Sequence, residues 1–461
     1  MQKDRSQTRT VTVTVDAQDP SGAGAIHAFG KKILVTGIIA GERVALHIKD
    51  PREIYPEAEI RRIVARSPHR VDPRCPVFGR CGGCTLQMLA YPEQLKWKRR
   101  VVKEAIGKML EDRSVLVRPT IGMKDPWLYR NKVQYPVGRD GRFPIIGFYA
   151  PVSYRIVTNR GCPIQHPEAD LLKETLLAHL KEHRIEPYDE RTGDGLVRTL
   201  MTRKGFATGQ VVCILVLNGR TLPAMEDFVA AARAAVPALT GVVVNVNTKK
   251  GRVILGRENR VVWGSGTLTD TLLGHTFEIS PNSFYQVNHA QAEALYRAAL
   301  ELAAIEKKDV VFDLYAGAGT ITIPAAALAK EAWGVELSPE AVADAERNAK
   351  RNGMENARFV AGDVIRETSR LLDKKVRPDI VILDPPRAGC DKPLLLMLAA
   401  ARPKRIVYVS CDPRTLARDL GILELHGYRV AEVQPVDLFP HTGHIEAVAL
   451  LEPMGKKAAH K

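Results

Sequence analysis

From about Val11 to Val64, apolar and polar positions alternate in short runs broken by Gly22, Gly24, Gly30, Gly37 and Gly41. Period-two alternation between glycine turns predicts short strands closing into a small β-barrel. The period becomes helical from about Pro92 to Met109. It returns to strands at 129–137 and 144–157, around an Asp140-Gly141 hairpin turn, and is helical again over 168–183. Val211–Leu217 and 241–247 are apolar runs of strand length, and Cys213 within the first belongs to a core.

Beyond residue 288 the rhythm changes. Asn288 and Gln291 form a capping box for a helix reaching Ala304. Strands at Val310–Leu314, 332–336, 358–361, 380–384 and 406–410 then alternate with helices, the signature of a doubly wound, mainly parallel sheet. The expected fold is multidomain α/β: an OB-like β-barrel over 8–68, a β-rich central domain over 69–280 and a Rossmann-like domain over 281–455. No repeats or low-complexity linkers interrupt it.

The 461 residues carry 67 Lys and Arg against 52 Asp and Glu, a net charge of +15 that suits a polyanionic partner. Composition excludes disordered and collagenous classes. The N-terminal stretch lacks the apolar core of a signal peptide, and the apolar run 314–329 is too rich in Gly and Thr, with Pro324 inside it, to span a membrane. A soluble, cytoplasmic monomer is expected, with a frayed basic tail at 455–461. Between Arg61 and Arg100 ten basic residues (Arg61, Arg62, Arg66, Arg70, Arg74, Arg80, Lys96, Lys98, Arg99 and Arg100) face only Asp72 and Glu93. With Trp97 among them, they read either as a phosphate-tracking surface or as a solvated helix face.

Of seven cysteines, Cys75, Cys81 and Cys84 cluster as C-x5-C-G-G-C, and Cys162 follows in Gly161-Cys162-Pro163. Clustered cysteines in a cytosolic chain more often bind metal than pair as disulfides. Four thiolates can hold zinc or a [4Fe–4S] cluster. Three ligands from one glycine-rich loop and a fourth from far away favour iron–sulfur over zinc, whose structural sites commonly use two paired knuckles.

The strand Val310–Leu314 runs into Tyr315-Ala316-Gly317-Ala318-Gly319-Thr320, where glycines let backbone approach a ligand at a helix N-terminus. Glu336, 19 residues beyond Gly317, ends the next strand, where an acid can hold ribose hydroxyls; Asp363 ends the third, suited to an adenine edge. Because the turn lacks the third glycine of G-x-G-x-x-G, S-adenosylmethionine is preferred over NAD. Asp384-Pro385-Pro386-Arg387 and Ser410-Cys411-Asp412-Pro413 end the fourth and fifth strands, at the edge where such sheets bind ligands.

A thiolate beside a methyl donor suits a carbon that is a poor nucleophile unaided, such as C5 of a pyrimidine. Cys411 is assigned as the nucleophile adding to C6, Glu446 as the base removing the C5 proton, and Asp384 as the group orienting the pyrimidine edge. Cys390, six residues past a strand end, is the competitor and is expected to point away. Arg387 stands where amino-group methyltransferases carry an aromatic, which weakens that alternative, and it is assigned to the substrate. A base in structured nucleic acid must be flipped out, and Phe284 and Tyr285 are candidate stacking partners.

These motifs resemble the RNA uracil-5-methyltransferases, specifically the iron–sulfur branch that forms 5-methyluridine in 23S rRNA. The resemblance covers nearly the whole chain. Its opening, through Gly22-Ala23-Gly24-Ala25 and Gly41-Glu42-Arg43-Val44, is similar to an RNA-binding TRAM domain. Cys75, Cys81, Cys84 and Cys162 fall on the family's cluster ligands, and Ser280–Asn288 on the stretch whose glutamine, here Gln286, contacts the methyl donor. Tyr315, Glu336 and Asp384 match donor-site residues, Cys411 the nucleophile motif and Glu446 the base motif. The resemblance implies that the helical segment 91–118 packs with the catalytic domain. It also leaves two other possibilities: the T-loop uridine of tRNA as target, or a catalytically silent RNA-binding protein with a structural cluster.

Overall fold

Strands buried on both faces read as unbroken apolar runs, as Val310–Leu314, Ile380–Leu383 and Arg405–Ser410 do at the centre of a sheet built in the last third of the chain. The structure, a computed structural model, describes residues 9–54, 57–112, 114–251 and 253–455; the basic tail beyond Gly455 and residue 8 lie outside these. The sheet runs in the order Ala357–Ala361, Glu331–Glu336, Val310–Leu314, Ile380–Leu383, Arg405–Ser410, Glu446–Pro453, Tyr428–Val436, Leu116–Val117. The first five strands are parallel; Glu446–Pro453 enters antiparallel, with Ser410 opposite Ala447. Helices cover both faces over two apolar clusters, one around Leu314, Leu383 and Tyr408, the other around Val311, Ile382 and Val409. The result is a mixed α/β fold with a Rossmann-like core. Among the described residues no helix is long and apolar enough to cross a membrane.

The final strand, Leu116–Val117, comes from far outside the catalytic segment and pairs parallel with Tyr428–Val436. Helix α1 (Tyr91–Met109) precedes it and packs on the helix Pro413–Leu425, sharing a core in which Trp97, Val102 and Ile106 meet Leu416, Leu420 and Leu423.

The middle of the chain builds a six-stranded sheet ordered Glu258–Gly264, Leu239–Val246, Val211–Leu217, Val197–Lys204, Lys132–Asp140, Phe143–Ile146. The hairpin at Asp140-Gly141 forms, and Cys213 is fully buried. The single strand predicted over 144–157 does not form. It stops at Ile146, and Phe148–Tyr149 folds back on Ile156–Val157. Pro151 cannot donate to a ladder, and the Tyr149 carbonyl instead accepts the Gly82 N–H of the cysteine loop (3.0 Å). At the N-terminus, Arg9–Thr14, Arg43–Ile48 and Ala58–Ala65 form one small sheet and Ala17–Gln18, Gly24–Ala28 and Lys31–Val35 another. The two enclose Val15, Ile26, Ile38, Val44 and Leu46.

The basic run 61–100 is not one surface. Arg70 is buried in an ion pair with the fully buried Glu42, which also accepts the Ile39 and Ser67 N–H groups. Lys98 is fully buried, Trp97 is core, and the Arg99 guanidinium donates to the Val117 carbonyl (2.7 and 2.9 Å). The helix buries its aromatic and one of its six cations, Lys98, on the face it turns to the core, and leaves Lys96, Arg99 and Arg100 exposed.

Candidate active site

The carboxyl ends of the parallel strands converge as their topology requires. Glu336 accepts the N–H of Gly317 (3.0 Å) and of Ser338 (2.9 Å), so one carboxylate ties two strand ends together. Nothing lies within 4 Å of where a Cβ on Gly317 would stand, whereas one on Gly319 would press on Phe359 at 3.1 Å. The turn is therefore tight beneath and open above. Tyr315, at φ +73°, reaches Cys390, with Asp391 and Asp363 nearby, and burial first of all raises its phenol. Asp363 is exposed and caps the next helix through the Arg366 N–H (3.0 Å). Gln286 is buried beside Tyr296, which also faces Thr320, Asp384 and Glu446.

Cys411 follows the strand Arg405–Ser410 and precedes the Asp412 cap of the helix Pro413–Leu425. It opens on a groove of about 710 Å³. Ser21 of the N-terminal sheets, Gly83 and Thr85 of the cysteine loop, Lys108 of α1, and Arg387 and His444 line the groove with it. Burial pushes the thiol up to about 11, Glu446 and Asp384 add to this, and Arg387 opposes it. Glu446 is 4% exposed; burial, then Asp384, hold its carboxyl well above the usual range against Arg387 and Lys98. Burial, and then Asp313, push Asp384 up to about 7. Cys411, Glu446 and Asp384 thus lie within reach of one another's charge. Cys390 stands elsewhere: it is 3% exposed, its N–H donates to Asp419 (2.8 Å), and it does not line the groove.

Cys75, Cys81, Cys84 and Cys162 line a separate cavity of about 200 Å³, together with Gln87, Arg130, Lys132 and Asn159. Burial pushes the thiols of Cys84 and Cys162 up to about 12. Gln87 Oε1 accepts the Cys75 N–H (3.1 Å), while Gln87 Nε2 and Asn159 Oδ1 are buried without a partner. Among the described residues no group of three or more His, Cys, Asp or Glu is arranged to hold a metal ion.

The family profile of tRNA (Uracil-5-)-methyltransferase matches residues 249–454. An uncharacterized RNA methyltransferase of Caldanaerobacter subterraneus is 44% identical over 447 residues, 96% of this chain and 98% of the relative. Another, of Clostridium acetobutylicum, is 42% identical over 437 residues, 94% of this chain and 95% of its own length. The chain belongs to the RNA uracil-5-methyltransferase family. The crystal structure of Pyrococcus abyssi tRNA (uracil-54, C5)-methyltransferase in complex with S-adenosyl-L-homocysteine superposes with a TM-score of 0.76 at 28% identity, covering 96% of this chain and all of that one. The protein is an S-adenosylmethionine-dependent RNA methyltransferase, which sets aside the silent RNA-binding alternative.

Two expectations for this methyltransferase need correction. Tyr285 cannot stack on a flipped base: it is 4% exposed and its hydroxyl points to Asp270 (3.4 Å), whereas Phe284 is 63% exposed. The capping box is half made, since Asn288 Oδ1 accepts the Gln291 N–H (3.2 Å) but Gln291 Oε1 is buried without a partner. The Asn288 amide instead donates to the Leu438 carbonyl (3.0 Å).

Sequence reasoning also missed a set of buried polar residues. Asp313, in the run Val310–Leu314, is fully buried, receives the Thr322 hydroxyl (2.6 Å) and is pushed by burial up to about 7. Gln94 and Lys98 on α1 bind the loop that leads to Glu446. Both left a signal. Asp313 is a charge inside an apolar strand, and Gln94 and Lys98 extend at helical spacing the buried stripe of Val102 and Ile106.

Proposed function

We propose that the protein methylates C5 of a specific uridine in 23S rRNA, forming 5-methyluridine through a covalent adduct between Cys411 and C6. The observation that carries this is that Cys411, open to the groove beside Arg387, senses the charge of the buried Glu446 behind it. Cys411 Sγ adds to C6, helped by Arg387 and by the helix that begins at Pro413, both of which favour thiolate. Asp384 orients the pyrimidine edge. S-adenosylmethionine, when bound, supplies a methyl group on a sulfonium, an electrophile for C5. Glu446 then takes the C5 proton, and the C6–S bond breaks to return the thiolate.

Gln286, Tyr315, Gly317, Gly319, Glu336, Asp363 and Asp384 would hold the methyl donor. The open space above Gly317 and the fixed Glu336 carboxylate fit it. Phe284 and Arg387 would meet the substrate, Phe284 as an exposed stacking platform for a flipped base. Cys75, Cys81, Cys84 and Cys162 would hold a [4Fe–4S] cluster. They line one cavity, and Gln87 Nε2, a buried N–H donor without a partner on its wall, fits the acceptor sulfurs of such a group. The division into a TRAM-like OB domain (8–68), a central cluster domain (69–280) and a catalytic domain (281–455), acting as a cytoplasmic monomer, belongs to the same reading.

A second target, the T-loop uridine of tRNA, is favoured by one observation: the solved structure with a TM-score of 0.76 is a tRNA enzyme. The test is an adduct assay with 5-fluorouridine-containing 23S rRNA and tRNA transcripts and S-adenosylmethionine. Fluorine at C5 cannot leave as a proton, so the covalent complex accumulates. An adduct with rRNA alone supports the proposal, an adduct with tRNA alone moves the target to tRNA, and none with either removes the C5 mechanism.

A further inference from the structure

We propose that Lys98, on helix α1 and outside the parallel sheet, is the positioning residue that holds the loop 437–446 and so places the Glu446 carboxyl, and favours its charged form, for removal of the C5 proton. The proposal rests on Glu446 being the base.

Lys98 and Asp437 are both fully buried. Lys98 Nζ donates to Asp437 Oδ1 (2.5 Å), the His444 carbonyl (2.7 Å) and the Phe439 carbonyl (3.1 Å). Three acceptors need three N–H donors, which an ammonium has and a neutral amine lacks. The acceptors span the loop from its first residue to within two of Glu446. Asp437 Oδ2 also receives the Tyr91 hydroxyl (2.8 Å). One helical turn before Lys98, Gln94 Oε1 accepts the His441 N–H (3.0 Å) and its amide donates to the Leu86 and Leu89 carbonyls. His441 itself sits at φ +65°, with its ring stacked on Trp127 at 3.8 Å. A non-glycine residue in that region persists only when its surroundings hold it, and α1 does the holding.

Stability alone is a poor reason to bury such a pair, because well-packed apolar residues commonly do as well. The electrostatics supply another reason. The groups facing Glu446 are Asp384 at the end of Ile380–Leu383, Arg387 after it, Cys411, Tyr296 on the helix His289–Ala303, and Lys98 on α1. His441 and His444, near Lys98, are pushed down to about 3 and 4, first by burial, and stay neutral. Arg387 is exposed on the groove. Lys98 is the buried cation, held by its three acceptors, that acts beside Arg387 on Glu446. It opposes the burial and the Asp384 charge that would leave Glu446 protonated and unable to accept a proton.

In the adduct that follows methyl transfer, C5 carries both the methyl and the proton. Glu446 takes that proton, the C5=C6 bond forms, and the electron pair of the C6–S bond returns to Cys411. Slowing this step alone makes the adduct accumulate on ordinary uridine RNA. The experiment compares the parent protein, Lys98→Met, the double variant Lys98→Met/Asp437→Asn, and Glu446→Gln. It follows adduct formation and resolution on 23S rRNA and tRNA transcripts across pH, with S-adenosylhomocysteine binding as the measure of an intact fold.

The double variant leaves no unpaired buried charge and is the control against misfolding. We expect it and Lys98→Met to form adduct but to resolve it about tenfold or more slowly, with the rate rising at higher pH than in the parent. Parental resolution and pH dependence in the double variant, while Glu446→Gln still accumulates adduct, overturns the role of Lys98 and leaves the base reading standing. Parental resolution in Glu446→Gln overturns the base reading and the role of Lys98 with it.

Discussion

The protein holds two cysteine environments that burial alone does not distinguish. The Cys411 thiol is pushed up to about 11, and Cys84 and Cys162 up to about 12. What separates them is access and company. Cys411 opens on a groove of about 710 Å³ shared by four parts of the chain, beside Arg387 and a helix N-terminus. The four clustered cysteines line one smaller cavity of about 200 Å³, away from the groove. A nucleophile needs an approach path and a neighbouring cation, whereas ligand thiols need enclosure and converging partners. Cys390, buried and pushed up to about 12, has neither the groove nor the cluster.

The largest expected effect tests that distinction directly. Cys411→Ala abolishes the 5-fluorouridine adduct on denaturing gels, and Cys390→Ala forms it; an adduct that survives Cys411→Ala but is lost in Cys390→Ala reverses the assignment. Next in size, if the four clustered cysteines hold the proposed [4Fe–4S] cluster, Cys84→Ser or Cys162→Ser in anaerobically purified protein loses iron, sulfide and broad visible absorbance. The same proteins still bind S-adenosylhomocysteine, because the donor site lies on other strands. Full iron content in either variant would break the comparison, since the cavity would not then be the cluster site.

How much of this was legible follows from where the physics is local. The runs Val310–Leu314, Ile380–Leu383 and Arg405–Ser410 announce strands because both their faces are buried, and Cys411 and Asp384 are placed by the strand ends they follow. The cysteine spacing announced a cluster of thiols. Two-residue Leu116–Val117 carries no periodicity, and only its docking on Tyr428–Val436 makes it a strand. The basic count over 61–100 misled because it ignored partners: Arg70 has Glu42, Lys98 has Asp437, and Arg99 has the Val117 carbonyl. Lys98 was counted with the exposed cations, and its partner Asp437 lies 339 residues away, which no local pattern reports.

A smaller effect concerns stability. Asp384 and Glu446 are acids whose neutral form the fold favours, so above the ordinary carboxylate range the folded state holds more protons than the unfolded chain. Stability then falls as pH rises. For Asp384 the loss runs from near its ordinary value of 3.8 to about 7 and is complete above that. Asp384→Asn and Glu446→Gln remove this cost. Both therefore melt higher than the parent at pH 8, and for Asp384→Asn the gain shrinks towards pH 5 and vanishes near pH 4. A gain independent of pH would mean that packing, not charge, had changed.

The smallest effect separates two adjacent arginines on α1. Arg99 spends its guanidinium on the Val117 carbonyl and so anchors the last strand of the catalytic sheet. The Arg100 side chain is 59% exposed and makes a loose contact with Glu104 at 3.9 Å. If the α1 surface beside the groove tracks RNA phosphates, Arg100→Ala weakens binding and lowers the salt slope of log Kd by about 0.7–0.9, the value for one phosphate contact. Arg99→Ala lowers the melting temperature and leaves that slope within error, because its charge already serves a carbonyl inside the protein. Binding titrations of both variants over a range of salt read the two effects separately. An unchanged slope in Arg100→Ala takes α1 out of the RNA footprint and leaves the groove walls at Lys108, Arg387 and Arg414 to carry it.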